Sequence, residues 1–189
     1  MEKMLENILA TCFGKKLYDE LAKKMGGKTL IIEFNDKKYS EFLLSIGTIT
    51  LDKNTSLNGQ ALLHEMVHAY QAYQENSADA YYRSLFNKEV ESHYAQYLYL
   101  SNRPGYEGSE FKDWYQDGGR MESIKGIEQY LDEKGNLKPG KTNSDLNNYI
   151  KNNVRPAFEA NDTYKGIAYN ESISGVDNLK NMRALSKDC

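Results

Sequence analysis

The chain contains little cysteine, proline and histidine. Of its 189 residues, two are cysteines, three are prolines and three are histidines. Two cysteines are too few for a cysteine-rich zinc site. Because Cys12 and Cys189 stand near opposite ends of the sequence, we expect two free thiols. No apolar run approaches the ~20 residues of a transmembrane helix, so we expect no membrane association.

A strong excess of either charge is also lacking. The formal net charge is −3, and without a concentrated basic patch we expect no nucleic-acid partner. The first 25 residues do not read as a signal peptide, because acidic residues interrupt them and their apolar stretch ILATCF is short. We therefore expect a cytoplasmic protein, or a secreted one if a leader has been removed.

The length suits a single domain over residues 1–189 with a hydrophobic core. The predicted order is an N-terminal helix and sheet (1–56), metal-binding helices (57–101) and a helical C-terminal part (102–189). This order predicts an α+β fold with a small mixed or antiparallel sheet beside a mainly helical body.

Residue patterns predict the individual elements. Leucines and isoleucines at helical spacing predict one or two helices that end at Gly26–Gly27. The β-branched stretches TLIIEF and GTITL predict strands. Further helices are predicted over 57–74, 78–101, 119–133 and 143–158, with Pro156 kinking or shortening the last one.

The candidate metal-binding and catalytic residues cluster in LLHEMVHAYQ, residues 62–71. There His64 and His68 stand four residues apart, and Glu65 directly follows His64. On a helix, residues four apart share a face, so both imidazoles can bind one Zn²⁺ ion. Glu65 would then lie beside the ligands, where a carboxylate can act as the general base. By chance this motif is expected in about half a percent of chains with such a composition.

The stretch GTITLDKNTSLNGQALLHEMVHAYQAY resembles the zincin metallopeptidases, over roughly residues 45–101. The resemblance implies a zincin-like fold in which His64 and His68 bind zinc and Glu65 is catalytic. It also implies that a sheet edge borders the substrate cleft. We assign this role to GTITL, and we expect an extended substrate to pair along its edge.

The third zinc ligand is not contained in the motif. Gln71 and Gln74 occupy the positions of the glycine and third histidine of metzincins, which excludes that branch. In gluzincins a glutamate of a later helix completes the site, with a small residue three positions after it. Glu89, followed by Ser92, fits this pattern better than Glu91, which is followed by Tyr94.

His93 remains an alternative third ligand or a group that contacts the ligands, since SprT-like proteases use a third histidine and HEMVHAY also resembles their motif. A purely structural role for His93 is equally open. Tyr94, Tyr97 and Tyr99 could assist catalysis, but their helical series is more typical of a core.

The sequence therefore predicts a zinc metallopeptidase acting on peptides or proteins. The alternative is a zincin-fold binding or regulatory module with weak or no activity.

Overall fold

The computed structural model describes residues 1–37, 39–55, 57–102, 119–187 and 189. It divides into two compact units, Met1–Tyr81 and Tyr82–Cys189. The boundary falls inside the segment 57–101 that the sequence assigned to metal binding, and the single-domain organisation stays a prediction. The α+β class is confirmed at the level of a three-stranded mixed sheet and a mainly helical body.

The first unit combines a helical layer with the sheet. The predicted helical start is a pair of helices, and the second ends at Gly26, whose left-handed φ of 58° stops it as expected. The elements are α1 (Glu2–Leu9), α2 (Cys12–Met25), β1 (Ile31–Asn35), β2 (Glu41–Leu43), β3 (Thr48–Asp52), α3 (Gln60–Gln74) and α4 (Ala78–Tyr82).

The sheet has the order β1–β3–β2, so β3 is its central strand. It pairs in parallel with β1 and antiparallel with β2. Thr48 to Leu51 are buried, as expected for a strand with neighbours on both sides. GTITL is thus confirmed as a strand, but its assignment to the sheet edge is wrong, because both of its backbone edges are already paired.

Helix α3 begins at Gln60 and not at Leu57, because Gly59 has a φ of 88°, which no regular helix permits. The Gln60 N–H donates to Asn58 Oδ1 at 2.9 Å, and this contact supplies the start signal. The side chains from Leu62 to Ala72 are all buried. The helix packs against α2 and against strands β2 and β3.

The second unit is helical among its described residues. Its longest element is α5 (Leu85–Ser101). The others are α6 (Arg120–Lys125), a 3-10 turn (Gly126–Gln129), α7 (Asn143–Tyr149), a π-helical turn (Ile150–Val154), α8 (Arg155–Glu159), a 3-10 turn (Gly175–Leu179) and α9 (Lys180–Ser186).

Pro156 does not end the predicted helix over 143–158. The chain remains helical from Asn143 to Glu159, with the π-helical turn directly before the segment that contains the proline. A proline ring collides with the carbonyl four residues earlier in a regular α-helix, and here that residue lies in the wider π turn. The π turn therefore accommodates the proline within the helix.

Neither cysteine is a free thiol, which corrects the sequence-based expectation. Cys12 and Cys189 are both disulfide-bonded. Among the described residues, no helix is long and apolar enough to cross a bilayer.

Candidate metal centre

His64 and His68 meet on one face of α3. Their Nε2 atoms stand 3.0 Å apart, and the rings meet edge to face with centroids 4.7 Å apart. Two nitrogens bound at ~2.0–2.1 Å to a tetrahedral zinc ion would stand about 3.3 Å apart. The four-residue helical spacing therefore brings the two nitrogens to within a few tenths of an ångström of the separation in a zinc site.

Contacts at the far side of the His68 ring favour one of its tautomers. Nδ1 lies 3.0 Å from Gln71 Oε1, which can only accept, so Nδ1–H donates to it. The Tyr81 hydroxyl lies 3.1 Å from the same nitrogen. With its proton on Nδ1, His68 presents the lone pair of Nε2 toward His64, as a metal-binding histidine must.

Gln71 and Tyr81 are site residues that sequence reasoning missed. Gln71 stands three residues after His68, so its helical spacing could have indicated the contact. Tyr81 stands thirteen residues after His68 and beyond the end of α3. No local pattern distinguishes it from the other tyrosines of the chain.

Glu65 lies beside the histidines on α3 and is 5% exposed. A carboxylate at such a position is costly to bury unless polar or charged groups surround it. Its place in the helix, one residue from His64, is the one expected for a general base.

Glu89 is carried by α5 and is partly buried, with 14% of its side chain exposed. His64, His68 and Glu89 form a group that could hold a metal ion, since each offers one ligand atom and these atoms lie within 4.8 Å of one another. Among the described residues this candidate group contains neither Glu91 nor His93.

Glu91 has an evident structural role within the second unit. Its side chain is 2% exposed, and Oε1 accepts hydrogen bonds from the backbone N–H groups of Asn181 and Met182 at 2.7 and 2.8 Å. Oε2 accepts from the Asn181 side chain at 2.9 Å. The carboxylate thus caps the first turn of α9, where the helix dipole favours a negative charge.

His93 is also integrated into the second unit. Its Nδ1–H donates to the Glu89 carbonyl oxygen at 2.9 Å, and the same nitrogen lies 3.5 Å from Glu89 Oε2. The ring packs edge to face against Phe158 and Tyr164, at centroid distances of 5.0 and 5.8 Å. The proton on Nδ1 is therefore donated to the main chain of α5, and aromatic packing holds the His93 ring in place.

The three tyrosines Tyr94, Tyr97 and Tyr99 are buried, as the helical series indicated. Burial raises the pKa of Tyr94 most strongly, and the nearby carboxylates of Glu128 and Asp132 raise it further. A hydroxyl with such a raised pKa fits a core position.

No protein-family model matches this chain, and neither the curated proteins nor the solved structures include one that is significantly similar to it.

Proposed function

We propose that the protein is a zinc-dependent peptidase with a zincin-like site. The observation that carries the proposal is the 3.0 Å separation of the His64 and His68 Nε2 atoms on one helix, with Glu65 directly beside them. A pair of imidazoles alone would serve any metal-binding protein. The adjacent carboxylate adds a group that can move a proton, which a structural site does not need.

The residues proposed to hold the metal are His64, His68 and Glu89. Two neutral imidazole nitrogens and one carboxylate oxygen are donors that suit Zn²⁺ and match the three-ligand pattern of catalytic zinc. When bound, zinc supplies Lewis-acid activation of water and of a peptide carbonyl. The contact of His68 with Gln71 supports the fit, because in the neutral ring a proton on Nδ1 leaves the lone pair of Nε2 for a metal ion.

Glu65 is proposed as the general base. Its carboxylate takes the proton of the attacking water and then passes it to the leaving amine of the cleaved peptide. His93, whose Nδ1–H is donated to the Glu89 carbonyl oxygen, takes no proton in this scheme.

A peptide substrate can pair only with an edge of the sheet, and β3 has none. Strand β2 is an edge strand that packs against α3. We therefore assign the substrate edge to β2, residues Glu41–Leu43.

The test is metal analysis and peptide cleavage with protein purified without a histidine tag. We expect about one zinc per chain, and cleavage in a mixed peptide library that a chelator abolishes and added zinc restores. A protein that binds zinc but cleaves nothing in the library would favour the regulatory-module alternative. A protein without zinc, and with no affinity for it, would contradict the metal site itself.

The bonded cysteines favour an oxidising compartment over the cytoplasm, because cytosolic thiols are kept reduced. We therefore prefer the secreted alternative. Titration of the denatured protein with a thiol reagent should detect no free thiol before reduction and two after it. Two free thiols in the denatured, unreduced protein would support the cytoplasmic prediction instead.

A further inference from the structure

The second unit contains a cavity with a strongly basic lining. Its volume is about 470 Å³, within the ~300–1,000 Å³ of small-molecule sites. Among the residues that the structure describes, six line the cavity, of which four are cationic and none is acidic. The lining consists of Lys134, Asn136, Lys180, Arg183, Ala184 and Lys187.

One wall of this cavity is a face of α9 and the residue after it. Lys180, Arg183 and Lys187 are spaced three and four residues apart, so their side chains share one face. Like charges at this spacing destabilise a helix. Ala184 has only a methyl group and leaves room between the long cationic side chains.

Arg183 is the most enclosed of the four cations. It is only partly exposed, and its buried Nε has no hydrogen-bond acceptor among the described residues. A guanidinium group in this state retains bonding capacity for an anion, which it binds with two parallel N–H donors.

The opposite wall is a tight turn that is held against Arg183. The N–H groups of Lys134 and Asn136 donate to Asp132 Oδ1 at 2.9 and 2.8 Å, so this carboxylate is engaged in the turn. Gly135 has a φ of 74°, and a Cβ there would stand 2.5 Å from Arg183 Cγ. The turn therefore lies directly on the Arg183 stem, with Lys134 and Asn136 on the cavity lining.

We propose that this cavity binds a phosphate group, either as inorganic phosphate or as the phosphate of a small ester. Near neutral pH phosphate carries up to two negative charges and several acceptor oxygens, which suits the ammonium and guanidinium donors of the lining. The cavity is larger than one phosphate group, which leaves space for the rest of a small ester. This binding is independent of peptide hydrolysis.

The test is calorimetric titration with inorganic phosphate and with phosphoserine at physiological ionic strength. We expect one saturable site per chain with a dissociation constant below about 1 mM for at least one probe. In the variant Lys180→Gln/Arg183→Gln the affinity should fall by about tenfold or more, because two charge-assisted contacts are lost.

The matched control is Lys125→Gln/Lys165→Gln, which removes two charges from exposed lysines outside the cavity lining. Its affinity should change less than twofold. An equal loss in both double variants, or no saturation by either probe, would overturn the proposal. If the first variant does not fold, Lys134→Gln/Lys187→Gln tests the same lining from exposed positions.

Two further arms exclude other binding modes. Phosphate can also bind a metal ion, so affinity must persist in chelator-treated protein and in His64→Ala/His68→Ala. Loss of binding there would overturn the proposal. The last probe is a single-stranded oligonucleotide. If it binds more tightly than phosphate and loses affinity equally in both double variants, the cavity binds polyanions in general. That result would also overturn the proposal.

Discussion

Helices α3 and α5 are both buried over most of their length, yet they use their buried polar side chains differently. On α5, Asn87 exchanges hydrogen bonds with the backbone of Asn170, and Glu91 caps α9. On α3, the imidazoles of His64 and His68 face each other. Burial of a polar group thus does not identify a functional site by itself. The difference is that Asn87 and Glu91 are bound to groups far along the chain, whereas the two imidazoles of α3 bring two potential metal ligands together.

The largest expected effect is on the proposed catalysis, at Glu65 of α3. Glu65→Gln should lower the rate of peptide hydrolysis by about 10²–10⁴-fold while zinc content stays near one per chain, because it removes the proposed base and none of the proposed ligands. The measurements are steady-state peptide cleavage and metal analysis. The control is Glu75→Gln, after the last turn of α3, which should retain full activity. A Glu65→Gln protein as active as the parent would exclude the proposed mechanism.

The two glutamates of α5 should separate metal binding from stability. Glu89→Ala should lose zinc, with affinity falling by more than the ~10–100-fold expected for an outer contact of a ligand. Glu91→Ala should keep zinc but lower the free energy of unfolding by about 2–4 kcal/mol, because three donors of α9 lose a buried carboxylate.

The measurements for this pair are zinc affinity by competition with a chelating dye and unfolding in urea. If Glu91→Ala loses zinc while Glu89→Ala retains it, the ligand assignment is wrong. The same result would show that the capping contacts do not describe the main role of Glu91.

A smaller effect is expected at the contact that sets the His68 tautomer. Gln71→Leu removes the acceptor of Nδ1–H and should weaken zinc affinity by about 10–100-fold. Gln74→Leu, one turn later on α3, is the control and should leave zinc affinity unchanged. Equal affinities in the two variants would mean that Gln71 is not needed to orient His68.

The smallest effect on the metal is expected at His93. His93→Ala should change zinc affinity by less than about tenfold, below the loss in Glu89→Ala, since His93 lies outside the candidate ligand group and its Nδ1–H is donated to a backbone carbonyl. Its main consequence should be a lower unfolding free energy, by about 1–3 kcal/mol, because a buried ring is lost from its contacts with Phe158 and Tyr164. Complete loss of zinc would support the SprT-like alternative with His93 as the third ligand.

Helix periodicity was enough to predict the parts of the fold that depend on near neighbours. The helices and strands occur close to their expected positions, and the stop at Gly26 follows from its left-handed backbone. The strand order does not have a local signature, which is why GTITL was assigned to an edge when it lies in the centre of the sheet. The π turn before Pro156 was missed for a similar reason, because proline alone does not reveal how the preceding turn adapts.

The sequence by itself determined the His64–Glu65–His68 constellation, because helix geometry converts a four-residue spacing into a shared face. The resemblance to gluzincins also led to Glu89 through the small residue at Ser92, and that ligand assignment stays a prediction. Only the tertiary structure revealed that Glu91 is bound to α9, since its partners Asn181 and Met182 stand 90 and 91 residues away. Contacts over such separations depend on how the whole chain packs, and no local pattern encodes them.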